Sequence, residues 1–352
     1  MVDFIPVHLI TGFLGSGKTT LLQRLLADPA LADTAVLINE FGEVGLDHHL
    51  LERIDETMVL LQSGCLCCTI RGELSHAMRN LYDRREAGTV PEFQRLVIET
   101  TGLADPFPIL STIQADPVLR HHFRLGNVVT TIDAVNADGQ LDRQPEAVKQ
   151  VAVADHLVLT KGDLADQTDR LMARIRGVNP AAPLWLASKD IDADALLTQR
   201  SEAVRFWTDT HEHRHDDGIR AFCLTFDEPL DWTVFGIWLT MLLHCHGVAI
   251  LRVKGILNVA GTDTPVAVHG VQHLVHPPTH MAAWPDAERR SRLVFIVKDL
   301  DPALVDRSMR AFGGVPTVAN AGANTGANTG ANTGANTGAN TGANTGANTV
   351  AA

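Results

Sequence analysis

Eight residues near the start, Gly12-Phe-Leu-Gly-Ser-Gly-Lys-Thr19, constrain this chain more than any other stretch. They fill the pattern G-x-x-x-x-G-K-[ST], whose glycines let backbone N–H groups turn inward around phosphate oxygens. The pattern carries meaning only between a strand and a helix. Both are legible: the apolar run Phe4–Ile10 precedes it and the helix-forming run Thr20–Leu26 follows. In such a loop Lys18 reaches the β- and γ-phosphates and the Thr19 hydroxyl ligates Mg²⁺. Gly12, Gly15, Ser16, Gly17 and Thr20 complete the cradle.

Downstream, short apolar runs alternate with helical patterns to about residue 200. The expected strands are Phe4–Ile10, Ala35–Asn39, Met58–Gln62, Gln94–Glu99, Asn127–Ile132, His156–Thr160 and Pro183–Leu186, with helices such as Arg71–Glu86, Pro145–Ala154 and Gln167–Arg176 between them. Such alternation predicts an α/β fold, a mostly parallel sheet covered by helices. Residues 201–218 are polar, charged and aperiodic, and read as a linker. Residues 219–314 then predict a smaller α+β domain. Its strands are Ile219–Phe226, Val248–Val259, Thr264–Val275 and Leu293–Val297, and its helices are Asp231–His244, with Asp231 as N-cap, and Asp301–Phe312. In the first helix Trp232, Phe235 and Trp238 fit a core-facing stripe. From Gly322 to Thr349 the unit Gly-Ala-Asn-Thr repeats seven times. Residues 315–352 bury too little apolar surface to offset ordering entropy, so a disordered tail is expected.

Three further stretches belong with the loop. Leu96-Val-Ile-Glu-Thr-Thr-Gly102 is a strand ending in an acid and then a glycine turn. Glu99 is the candidate to serve Mg²⁺ or the attacking water, and Gly102 the candidate to sense a γ-phosphate through its N–H. His156-Leu-Val-Leu-Thr-Lys-Gly-Asp163 ends close to the Asn-Lys-x-Asp of guanine-reading sites, with Thr160 in place of Asn. Asp163 would accept the guanine N1–H and N2–H₂ while the Lys161 stem packs on the base, which favours GTP over ATP. Asn39-Glu-Phe-Gly-Glu-Val-Gly-Leu-Asp47 follows the second strand and has the composition of a switch loop.

Cys65, Cys67 and Cys68 lie within four residues, between an expected strand and a helix. Thiolates at this density suit a soft or borderline cation, and a helix N-terminus beside Arg71 favours the deprotonated form. Glu40, Glu43 or water would complete the ligand set. Thiolate ligation leaves Zn²⁺, Co²⁺, Ni²⁺, Cu⁺ and Fe²⁺ open, with Zn²⁺ favoured and Co²⁺ next. Five cysteines, an odd number, argue for a reduced compartment over a disulfide framework. With no basic and apolar leader at the N-terminus, the cytoplasm is the expected location. A net charge of −12 gives no electrostatic support to a nucleic-acid or anionic-membrane partner.

Together these stretches resemble the CobW-type metallochaperone GTPases, relatives of the nickel-insertion GTPases UreG and HypB. The resemblance runs from residue 4 to about 314. It rests on Gly12–Thr19, Asn39-Glu-Phe-Gly-Glu43, Gly64-Cys-Leu-Cys-Cys68, Glu99-Thr-Thr-Gly-Leu-Ala-Asp-Pro106, Thr160-Lys-Gly-Asp163 and Leu251-Arg-Val-Lys-Gly-Ile256. It implies GTP hydrolysis coupled to delivery of a transition metal to a metal-requiring client protein, with Cys65, Cys67 and Cys68 as the metal motif. His211, His213 and His215 correspond to a short version of the family's His-rich run. A nucleotide-gated metal sensor or store, and a small-molecule kinase on the same loop, are the alternatives. The kinase would leave the cysteines unexplained. Assembly, a homodimer included, does not follow from the residues.

Overall fold

The structure, a computed structural model, describes residues 4–38, 70–165, 168–187, 191–197, 213–214 and 218–313. The expected strand Met58–Gln62, Glu40 and Glu43, Cys65, Cys67 and Cys68, His211, His215 and the repeat tail lie outside the described residues.

Six strands form the first sheet: β1 (Ile5–Gly12), β2 (Thr34–Ile38), β3 (Arg95–Glu99), β4 (Phe123–Asp133), β5 (His156–Thr160) and β6 (Leu184–Leu186). Their spatial order is β2-β3-β1-β4-β5-β6, and every neighbouring pair is parallel. Parallel strands are covered on both faces, which is why they read as unbroken apolar runs; β2 and β5 are buried at every position. The covering helices include α1 (Lys18–Leu26), α2 (Ile70–Glu86), α3 (Pro106–Ala115), α4 (Leu119–His122), α5 (Ala137–Arg143), α6 (Pro145–Val153), α7 (Thr168–Val178) and α8 (Ala193–Leu197). From β1 the chain proceeds to β2 on one side, and from β4 to β5 on the other. The crevice beyond the carboxyl ends of β1 and β4 is therefore the natural ligand position in an open α/β sheet.

The second sheet is antiparallel throughout: β7 (His213–Arg214), β8 (Ile219–Phe226), β9 (Ile250–Leu257), β10 (Val266–Val271), β11 (Leu274–Val275), β12 (Thr279–His280) and β13 (Ser291–Lys298). Helices α9 (Trp232–His246) and α10 (Pro302–Gly313) cover one face, packing Phe235, Trp238 and Met309 against Phe222, Leu224 and Phe295. Asp231 caps α9 as expected, its carboxylate accepting the Val234 N–H at 2.8 Å. Phe235 and Trp238 are core, whereas Trp232, expected beside them, is exposed at the helix start.

Three sequence expectations change here. Thr264–Val275 is a hairpin rather than one strand, because the chain reverses at Gln272 (φ 50°) and pairs Val271 with Leu274. No Asn-Gly or Asp-Gly announces that turn. Strand β9 starts at Ile250 rather than Val248, since α9 runs on to His246 before Gly247 ends it. Within the expected linker, His213 and Arg214 pair with Ala221 and Arg220 of β8.

The other face of the second sheet meets the first. Ala221, Leu251 and Ile296 pack with Ala147, Val148 and Val151 of α6 and with Leu171 and Ile175 of α7. Inside this apolar seam sits a charged knot. Arg252 donates to the Val153 carbonyl, which ends α6, and to the Asp155 carboxylate. Asp155 also accepts the Val128 N–H at 2.9 Å. Burial pushes the Asp155 carboxyl up, but Arg252 and Lys254 outweigh it and hold the group well below the usual carboxylate range.

Lys254 is fully buried, and its Nζ makes no hydrogen bond among the described residues. Burial lowers its pKa to about 8, with Asp155 opposing the shift. Between about pH 8 and the ordinary lysine value of 10.5 the unfolded chain holds a proton that the folded chain has lost, so stability rises with pH across that window. Denaturant unfolding of Lys254→Met against the parent checks this. The parent's stability relative to the variant is expected to climb from pH 8 to 10.5, and a pH-independent difference would contradict the assignment.

Candidate nucleotide site

Strand β1 delivers the chain to Gly12, where φ is +142°. A Cβ there would lie 2.3 Å from Thr131 Oγ1 and 2.4 Å from the Thr131 carbonyl oxygen, so only glycine fits beside β4. The loop then closes on itself. The Ser16 N–H donates to the Phe13 carbonyl at 3.1 Å, and the Ser16 hydroxyl shares a 2.7 Å hydrogen bond with Thr131 Oγ1. Gly17 hands over to α1, whose first turn carries no acid. The helix thus directs its N-terminal N–H groups and positive dipole end at the loop with no acid in its own first turn. Gly15 and Thr20 are exposed, and Lys18 folds back so that its Nζ donates to the Phe13 carbonyl at 3.3 Å.

From the other side of β1 comes the end of β3. Glu99 is buried, and its Oε1 accepts the Thr19 hydroxyl at 2.6 Å. The two candidate Mg²⁺ residues, eighty positions apart, are therefore already in contact. Just beyond, Gly102 abuts the loop so closely that a Cβ would stand 2.6 Å from the Leu14 backbone nitrogen. Its N–H lies on a turn that touches the phosphate loop directly, as a sensor's must.

From the β5 side, the Thr160 hydroxyl lies 2.8 Å from the Ser16 carbonyl oxygen and 3.1 Å from that of Ile132, and donates its one proton to this pair. Lys161, at φ 55°, donates to the Gly15 carbonyl at 2.8 Å and to Asp133 Oδ2 at 2.7 Å. Asp133 is buried at the end of β4. Burial pushes its carboxyl up, but bonds from Lys161, Asn136 and Val135 outweigh that and hold it below the usual value. Asp163 is exposed in the single turn Gly162–Leu164 that follows.

The fold thus brings Glu99, Gly102, Thr160 and Lys161 into contact with the Gly12–Thr20 loop, with Asp163 exposed on the turn just beyond. Two contributors escaped sequence reasoning: Thr131, which walls Gly12, and Asp133, which anchors Lys161. Asp133 had a faint signal, an acid closing an apolar strand in the position that Glu99 holds on β3. The thiol cluster and the switch-loop acids lie outside the described residues. Among the described residues no group of three or more His, Cys, Asp or Glu side chains is placed to hold a metal. No helix among them is long and apolar enough to cross a membrane.

A phosphate loop at the carboxyl end of a parallel sheet, joined to an antiparallel second sheet, is the architecture of a P-loop nucleotide-binding protein. The family models agree: residues 6–185 match the CobW/HypB/UreG nucleotide-binding domain and residues 219–313 match the cobalamin synthesis protein CobW C-terminal domain. The chain belongs to this family. It is 34% identical over 299 residues to the zinc chaperone YjiA of Escherichia coli, a match covering 83% of this chain and 93% of that protein. It is 30% identical to the zinc chaperone CobW of Pseudomonas aeruginosa, covering 87% and 91%. The crystal structure of Zn(II)-bound YjiA GTPase from E. coli superposes with a TM-score of 0.67 at 30% identity, covering 88% of this chain and 99% of that one.

The contact between Gly12 and Thr131 yields a test. Gly12→Ala forces β1 from β4 at the mouth of the loop, so nucleotide affinity is expected to fall by more than about tenfold, equivalent to about 1.4 kcal/mol. Equilibrium titration with a fluorescent guanine nucleotide measures this, and parental affinity in the variant would show that the loop does not depend on that contact.

Proposed function

We propose that this chain is a GTP-hydrolysing metallochaperone that binds Zn²⁺ through Cys65, Cys67 and Cys68 and delivers it to a metal-requiring client protein in the cytoplasm. The observation that carries the reading is the direct contact of the phosphate loop with Glu99, with the Gly102 turn and with Thr160 and Lys161. The zinc-chaperone names of the relatives, and the Zn(II) in the YjiA crystal structure, support the choice of metal over Co²⁺.

In this reading the loop N–H groups and the α1 N-terminus take the phosphate oxygens. Lys18 leaves the Phe13 carbonyl for the β- and γ-phosphates. Thr19 and Glu99 would hold Mg²⁺, which supplies neutralising charge between the phosphates when bound. Asp163 accepts from the guanine edge, a pair of donors that adenine lacks. Thr160 does the structural work of the missing Asn by tying the base turn to Ser16. The domains run from 1 to about 200 and from 219 to 314, with 201–218 between them.

Glu40 or Glu43, in the switch loop, completes the thiolate site. Triphosphate orders the loop through its γ-phosphate, and hydrolysis releases it. Such coupling is reciprocal, so metal tightens GTP binding by the factor with which GTP tightens metal. Competition titration with a chromogenic zinc chelator tests the reading in three states. Zinc affinity is expected to be highest with a non-hydrolysable GTP analogue and Mg²⁺, and lower with GDP or no nucleotide. Replacing Cys65, Cys67 and Cys68 with Ser is expected to abolish tight zinc binding and leave GDP affinity within about twofold, or 0.4 kcal/mol. Equal zinc affinity in all three states, or tight zinc in the triple variant, would overturn it.

A further inference from the structure

Gln150 is fully buried in α6, where every other buried side chain is apolar. Its Nε2 donates to the Gly102 carbonyl at 3.2 Å and to the Ala104 carbonyl at 2.9 Å, so one side-chain amide spans the turn beside the phosphate loop. The preceding residue reinforces the grip: Lys149 Nζ pairs with Asp105 at 2.9 Å, and Asp105 in turn caps α3 through the Phe107 N–H at 3.0 Å. The backbone carbonyl of Gln150 accepts the Thr130 hydroxyl at 2.8 Å, which fixes this part of the helix to β4.

The other atom of the amide is unspent. Gln150 Oε1 is buried and accepts no hydrogen bond among the described residues. The residue lines a small cavity behind the loop, shared with Phe13, Thr131 and Gln140. A buried acceptor without a donor is costly unless another arrangement of the site uses it.

The far end of α6 is clamped just as firmly. Asn179 Nδ2 reaches the carbonyls of Val151, Ala152 and Ala154 at 2.8–3.2 Å. Arg252 of the second sheet takes the Val153 carbonyl and the Asp155 carboxylate. A nine-residue helix, bonded at both ends and packed along its length, transmits displacement rather than absorbing it.

We propose that Gln150 is a positioning residue for the Gly102 turn, and that α6 carries the position of that turn to the second domain through Arg252. The inference rests on the reading of the chain as a GTPase whose Gly102 faces the γ-phosphate. It adds the route by which nucleotide state reaches the second sheet. Gln150 touches no reacting atom; it acts through the backbone of Gly102 and Ala104.

Gln150→Met keeps the volume and removes both donors. Nucleotide affinities and steady-state hydrolysis are measured, together with hydrogen exchange over residues 250–257 with GDP and with a non-hydrolysable GTP analogue. In the parent, exchange on β9 is expected to differ between the two nucleotides. In Gln150→Met that difference is expected to vanish and kcat to drop about tenfold, while GDP affinity stays within about twofold. Parental kcat and a retained exchange difference would overturn the proposal, even if the variant melts earlier, and so would β9 exchange in the parent that ignores the nucleotide. Should Gln150→Met fail to fold, Lys149→Met cuts the more exposed strut. A smaller exchange difference and a kcat loss of about threefold support the proposal, and no change in either overturns it. If the parent itself does not hydrolyse GTP, the functional reading falls and takes this inference with it. A working parent with an indistinguishable Gln150→Met sinks only the inference.

Discussion

The phosphate loop is held at its base by contacts from three neighbouring strands. Gly12 is pressed on Thr131 of β4, and Leu14 is pressed on Gly102 beyond β3. The carbonyls of Gly15 and Ser16 are taken by Lys161 and Thr160 beyond β5. Three parallel strands therefore each send one element to the same eight residues. That is possible only because β1 lies between β3 and β4 in the sheet, with β5 next along. The loop backbone is consequently braced from three strands before any ligand arrives. A backbone braced in this way spends little reorganisation energy on binding an anion.

Among the described residues the second domain packs on helices that flank the first sheet. Its contacts include α6, α7 and Asp155, the residue that precedes β5, and, through Val271, His273 and Leu274, Phe107 and Leu110 of α3. An apolar seam alone would allow sliding in several registers. The Arg252–Asp155 pair selects one, at the expense of burying Lys254 nearby. Buried ionic groups often add little net stability, so the knot is better understood as specifying the junction than as strengthening it. Because Asp155 immediately precedes the strand that ends in the Thr160–Asp163 turn, and α6 leads from the Gly102 turn to the same knot, both turns beside the phosphate loop connect to one interdomain contact.

Most of the first sheet was readable because fully buried parallel strands leave continuous apolar runs, and because Gly12–Thr19 demands its own strand and helix; β4, however, begins at Phe123, four residues before its expected start at Asn127. Strands β2, β3 and β5 fall within a residue of their expected bounds. What escaped was whatever depends on distant partners. Asp133 and Gln150 are buried polar side chains inside apolar segments, and their importance appears only once Lys161 and the Gly102 turn are placed beside them. The turn at Gln272 was invisible because its left-handed residue is not of a type that advertises one. Thr160, a departure from the strict guanine motif in the sequence, becomes intelligible in the structure, where its hydroxyl reaches the Ser16 carbonyl.

The 2.6 Å bond from Thr19 to Glu99 joins the loop and the end of β3 into one unit. A double-mutant cycle on GTP hydrolysis, with Thr19→Ala, Glu99→Gln and the pair together, tests it most directly. Residues that serve one Mg²⁺ site are non-additive, so the double variant should be no slower than the slower single variant, each single losing about a hundredfold or more in kcat. Losses that simply multiply in the double variant would show that the two residues work independently, and would contradict the account.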